Sequence, residues 1–169
     1  DWYSSYLKIS NDLLRNTFFD SINQKKSLTV YSNIKRNTLM EKNLKTDFDF
    51  YAQKLKFKAR SGCFGLAIDL ERWGISDGMC SFCNMSCKET PEHRFFTCPK
   101  FKEERFIFYN SIENRLPHIY NYFKTCIPNN GLEWVLGDAA YAILGQEQGY
   151  IFDACSKYFI KNIYVASTS

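Results

Sequence analysis

The chain has no run of ~20 apolar residues, so no membrane-spanning helix is expected. It has no charged-then-apolar leading segment of the kind that marks a secretory signal. It begins at Asp1 rather than Met, which suggests a piece of something longer. Internal repeats and low-complexity tracts are missing, which excludes a repeat architecture. A disulfide framework is missing too. The seven cysteines are odd in number and irregularly spaced, in a 169-residue chain long enough to bury a core without staples. Reduced thiols in an intracellular compartment, cytoplasmic or nuclear, are the expectation.

What is present is apolar and aromatic. Residues of apolar type make up 45% of the chain, with 15 Phe and 11 Tyr to fill a core. The net charge of +4 is modest, but it is unevenly spread. Residues 1–60 carry 12 Lys/Arg against 6 Asp/Glu, whereas residues 61–112 carry 6 against 7 and residues 113–169 carry 4 against 5. The basic surplus therefore lies in the first third, where it is either a phosphate-binding surface or a solvated helix face.

Apolar periodicity predicts a mainly α fold, a small helical domain with a C-terminal antiparallel helix pair. Tyr6, Ile9 and Leu13, and beside them Leu14, Phe18 and Ile22, mark a first helix. The segment 28–34 ("LTVYSNI") reads as a short strand or an extended connector. Asn37 or Thr38 caps a short helix through Leu44. Thr46 or Asp47 opens a basic helix whose stripe is Phe48, Ala52, Leu55 and Ala59; on it Lys54 stacks on Lys58, and Lys56 on Arg60. Cys63, Leu66, Ala67 and Leu70 repeat the helical spacing, closed by Gly74, and Asp77-Gly78 forms a turn. Pro99 suits a first helical position, with Phe101, Arg105, Phe108 and Ile112 on the inner face. Pro117 and Pro128 bracket a less regular aromatic segment. Asn129 or Asn130 caps a helix that Gly145 ends, and a last helix follows. Three segments result: 1–46, helical; 47–116, basic helix plus knuckle; and 117–169, a helical hairpin packed on it.

The chemistry concentrates in "CSFCNMSCKETPEHRFFTC", residues 80–98. Cys80 and Cys83 form a C-x2-C pair that aims two sulfurs at one ion. His93 and Cys98 are spaced to face one side of a turn. Four such donors suit tetrahedral Zn(II), and a full protein set leaves no open position, so the zinc is structural rather than catalytic. Cys87 is a third nearby sulfur that could replace His93; His93 is preferred because it and Cys98 share one short element. Cys63, Cys126 and Cys155 read as small hydrophobes on apolar helix faces.

The run from Phe57 to Tyr109 resembles the C-terminal zinc-binding (CCHC) region of non-LTR, LINE-like retrotransposon reverse transcriptases. The likeness rests on Arg60-Ser61, on Leu66 to Trp73, on Glu89 and Glu92-His93-Arg94-Phe95, and on Cys98-Pro99-Lys100-Phe101 with Arg105. It covers about sixty residues. Glu71-Arg72 stands where the family has Gly-Arg, and Gly78-Met79 stands where it has an Arg. The resemblance implies an accessory module downstream of a polymerase in a parent polyprotein, with that polymerase domain as a partner. No Asp-Asp pair of the polymerase kind occurs here, so the chain itself is not expected to be an enzyme. Asp138 and Asp153 read as outer-face helix residues, too sparse for a nuclease centre. Partners on this reading are RNA and/or DNA, with no membrane and no small-molecule substrate. Lys54, Lys56, Lys58 and Arg60 would meet phosphates, Arg72, Arg94 and Lys100 would add contacts, and Phe82 would either stack on a base or pack within its own loop. The alternative is a zinc-stapled module that binds protein only.

Overall fold

The computed structural model describes residues 2–35, 37–39, 42 and 49–168. The predicted start of the basic helix at Thr46 or Asp47, its Phe48 and most of the predicted helix through Leu44 lie outside these residues. So does the boundary drawn between 46 and 47.

The fold is mainly α. The helices are α1 (Trp2–Asn23), α2 (Thr29–Ile34), α3 (Phe50–Arg60), α4 (Ala67–Glu71), α5 (Lys102–Arg115), α6 (Pro117–Val135) and α7 (Ala139–Thr168). Among the described residues the one β pairing is an isolated bridge between Met79 and Lys88. The segment 28–34, read as a possible strand, is a 3-10 turn running into α2. Its side chains do not alternate between a core and a solvent face, and Ile34 alone is buried.

Helix α3 starts at Asp49, whose carboxylate accepts the backbone N–H of Tyr51 at 3.1 Å and of Ala52 at 3.0 Å. These are donors that a helix end leaves without partners. Ala52, Leu55 and Ala59 turn inward as the periodicity predicts. Their face packs on α7, and α7 also packs on α5. The heart of the core is aromatic. Phe108 stacks on Phe159 at 4.4 Å between centroids, and Phe123, Trp134 and Phe152 close round them edge to face. Each fully buried ring of this kind contributes about 1.5–3 kcal/mol. One apolar cluster runs from Ile34 to Ile163 and takes in α3, α5, α6 and α7.

Three stretches differ from their sequence reading. Helix α6 is continuous from Pro117 and carries Pro128 inside it, rather than an irregular segment between two prolines. Pro128 and Lys124 are both exposed, so water can serve the Lys124 carbonyl that the missing N–H leaves free. The single helix expected over 131–144 is divided at Leu136–Asp138. There the N–H of Gly137 turns back to the Leu132 carbonyl at 3.3 Å, and the Asp138 carbonyl starts the next helix by accepting Ala142 N–H at 3.0 Å. Gly145 does break the helical path as expected, with φ 81°. Finally, the stripe drawn from Cys63 to Leu70 holds a helix only from Ala67, and Cys63 is exposed rather than core.

Helix α1 has the predicted periodicity but little to bury it against. Only Ile22 of its apolar residues is buried, and Trp2, Tyr6, Ile9, Leu13 and Leu14 are all exposed.

Candidate metal centre

The loop between α4 and α5 brings four donors together. Gly78 takes φ 77°, a backbone conformation that residues with a side chain rarely adopt. Beyond it the Glu89 N–H donates to the Gly78 carbonyl at 2.8 Å and the Cys80 N–H to the Cys87 carbonyl at 2.9 Å. These two bonds pinch residues 80–87 into a closed loop that presents Cys80 and Cys83. Opposite it, residues 93–97 form one π-helical turn, closed by Cys98 N–H donating to the His93 carbonyl at 2.7 Å. The wide turn lets residues five apart face one point, which is why an H-x4-C spacing delivers both donors.

The ligand atoms of Cys80, Cys83, His93 and Cys98 all lie within 4.8 Å of one another. Cys80 Sγ and Cys98 Sγ are 3.8 Å apart, and Cys83 Sγ is 3.4 Å from His93 Nε2. A tetrahedral ion with metal–sulfur bonds of ~2.3 Å and metal–nitrogen bonds of ~2.0–2.1 Å has edges of about 3.8 Å between sulfurs and about 3.6 Å from sulfur to nitrogen. Those two edges match such an ion, and the four donors could hold a metal ion and are compatible with zinc.

The three thiols respond differently to their surroundings. The Met85 N–H is the main cause of a lowered Cys83 thiol pKa. Burial dominates at the other two, raising Cys80 and pushing Cys98 up to about 12. Burial also lowers the pKa of His93, which keeps its ring neutral and its lone pair free. Thr97 Oγ1 sits 3.1 Å from His93 Nδ1 and 3.4 Å from the His93 carbonyl. If the hydroxyl donates to the carbonyl, it accepts Nδ1–H, and Nε2 is left to face the sulfurs. Thr97 was not singled out in the sequence; its position four residues after a ligand histidine is the signal that could have found it.

Cys87 stands apart. Its sulfur is 3.4 Å from Nδ1 and 3.6 Å from Nε2 of His93, nearly equidistant and so off the lone-pair line of either. Burial raises its thiol pKa. It borders the cluster without belonging to it.

No family model, curated protein or solved structure matches this chain. What the site does must be read from its own residues.

The seven basic residues assigned to phosphates divide into two groups. Lys54 and Lys100 are exposed, and Lys58 is half-buried. The others are committed to the protein. Lys56 is 1% exposed and pairs with Asp153, which itself pairs with Lys157 at 2.8 Å and accepts from Tyr141 at 3.3 Å. Asp153 is therefore a buried counter-ion, not an outer-face residue. Arg60 is buried with its guanidinium over Tyr31. Arg94 is buried against Glu89, whose second oxygen accepts the Ala67 N–H at the start of α4. Arg72 pairs with Asp69 and donates to the carbonyls of Lys26 and Gly62 at 2.8 and 3.0 Å, locking the turn after α3. Phe82 is half-buried. It lies against Phe101 and, at 4.5 Å, the Arg94 guanidinium, so it packs inward instead of offering a free face.

Among the described residues no helix is long and apolar enough to cross a membrane.

Proposed function

We propose that this chain is a non-catalytic, zinc-stapled nucleic-acid-binding accessory module, of the kind found after the polymerase in non-LTR retrotransposon reverse transcriptases. The observation that carries the reading is the convergence of Cys80, Cys83, His93 and Cys98, whose ligand atoms lie within 4.8 Å of one another, followed directly by Pro99-Lys100-Phe101. With four protein donors, zinc here has no open position and acts by joining the loop 80–83 to the turn before α5. It does so in a reducing compartment, cytoplasm or nucleus, where the thiols stay free to bind metal. RNA or DNA would meet the module through phosphates, at Lys54, Lys58 and Lys100, the basic residues whose charge still faces solvent.

The test has two arms. Purified protein should hold one zinc per chain by elemental analysis. Its affinity for labelled oligonucleotides, followed by anisotropy, should fall as salt rises. Zinc without any oligonucleotide binding would leave the second reading, a zinc-stapled protein-interaction module. That reading has its own support in α1, where Trp2 is 76% exposed and Ile9, Leu13 and Leu14 are each about two-thirds exposed.

A further inference from the structure

The outward face of α3 carries a pattern that the metal site does not use. Phe50 is 82% and Phe57 is 58% exposed, and exposed Lys54 lies between them. The three positions, i, i+4 and i+7, share one helical stripe. Half-buried Lys58 flanks it, and so does exposed Tyr51, with the Lys161 ammonium 5.8 Å from its ring centroid. No acidic residue occurs from Phe50 to Arg60. Large rings with so little cover are costly to leave in water, and lysines interleaved with them rule out a purely apolar occupant.

From these observations we infer that the α3 face is a stacking platform for single-stranded nucleic acid. Phe50 and Phe57 take unpaired bases on their faces, and Lys54 and Lys58 hold the phosphates between. At ~1.5 Å of rise per residue the two rings stand about 10 Å apart along the helix, a span that a short single strand bridges with a phosphate near Lys54. A duplex keeps its base faces stacked inside and could offer this surface only its backbone. The occupant is chosen by charge: from Phe50 to Arg60 α3 carries lysines and no carboxylate, and the capping Asp49 beside Phe50 is paired with Lys161 at 3.1 Å, which suits a polyanion with exposed rings and opposes a neutral helix. The inference rests on the nucleic-acid reading above and adds a surface and a strandedness to it.

The experiment measures anisotropy of a fluorescein-labelled 20-mer of deoxythymidine, a 20-mer of uridine and a 20-bp duplex. It uses the zinc-loaded chain and the variants Phe50→Ala, Phe57→Ala and Lys54→Gln, with Phe106→Ala, an exposed ring on α5, as control. Each α3 ring removed should weaken single-strand binding by about tenfold or more, the control should not, and duplex binding should change little. Lys54→Gln should reduce the slope of log affinity against log salt by about 0.7. Circular dichroism melts within a degree or two of the parent would show that the exposed positions do not hold the fold. If the parent binds single strands and the α3 variants bind equally well, the platform is refuted while the function stands. If the parent binds no nucleic acid at any salt, both fall. Loss of concentration-dependent self-association in Phe50→Ala, with no change in oligonucleotide affinity, would refute the platform by making α3 a contact between copies.

Discussion

Asp153→Asn takes the counter-ion from a buried ammonium group. Asp153 is 2% exposed and faces Lys56 on α3 and Lys157 on its own helix, both buried. Burial by itself raises the Asp153 pKa, but Lys56 and Lys157 together outweigh it and the net shift is downward. Burial likewise lowers the Lys56 pKa, partly offset by Asp153. Asparagine keeps the shape and removes the charge, taking from buried Lys56 its counter-ion, which costs about 3–5 kcal/mol. For a chain of this size that is a fall in melting temperature of about 6–20 °C. The assay is thermal and urea unfolding of the zinc-loaded protein. Replacing the whole group, Lys56→Met with Asp153→Leu and Lys157→Met, should recover most of the loss, because no charge is then buried. The pH dependence has a definite sign. A depressed carboxyl contributes stability that is full above its unfolded value of 3.8 and is lost as pH falls through the folded one. The parent should therefore weaken in acid more steeply than Asp153→Asn. A loss under about 1 kcal/mol, or parallel acid limbs, would refute the buried-cluster account and return Lys56 to the candidates for phosphate contact.

Cys98→Ser should abolish zinc binding by elemental analysis and lower helicity, while Cys87→Ser should keep one zinc per chain. Retained zinc in the first or lost zinc in the second would overturn the ligand set. Thr97→Val should weaken zinc affinity about 10–100-fold in a competition titration with a chromogenic chelator, since His93 loses the partner of its second nitrogen. Affinity should also climb from pH 6 to 8, because thiols held protonated by burial, Cys98 above all, must give up protons to the ion. Pro128→Ala should raise stability by about 1–3 kcal/mol in urea unfolding, as it restores a helix bond at an exposed position.

The parts of this molecule that were legible in its sequence are those written in local spacing. The 3.6 periodicity found α3 and α5 with their inner faces, and glycine marked the break at Gly145. The C-x2-C and H-x4-C intervals found the four residues that converge. What spacing could not tell is which distant residues a helix face would meet. On a helical wheel Lys56 and Arg60 fall beside Ala52, Leu55 and Ala59, on the far side from Lys54 and Lys58; what the wheel could not supply is the partners that let those charges lie inward, Asp153 and Tyr31. The deciding residues lie as far as 97 positions away. The same blindness made Phe82 a candidate base platform when Phe101 and Arg94 already cover it. Gly137-Asp138, a stop followed by a start, was passed over because the apolar rhythm carries across it without a missed beat.

The π-helical turn before α5 has one more consequence. Its donors alternate with core residues: His93 and Cys98 face the candidate metal site, while Phe95 and Phe101 are fully buried, Phe95 against Phe64 and Phe159 and Phe101 against Phe82. On the proposed zinc reading, pulling the ion away would loosen rings that anchor the helices as well as a surface loop. A chelator would act on this protein as a denaturant does, and near-ultraviolet ellipticity would report metal content as faithfully as a dye.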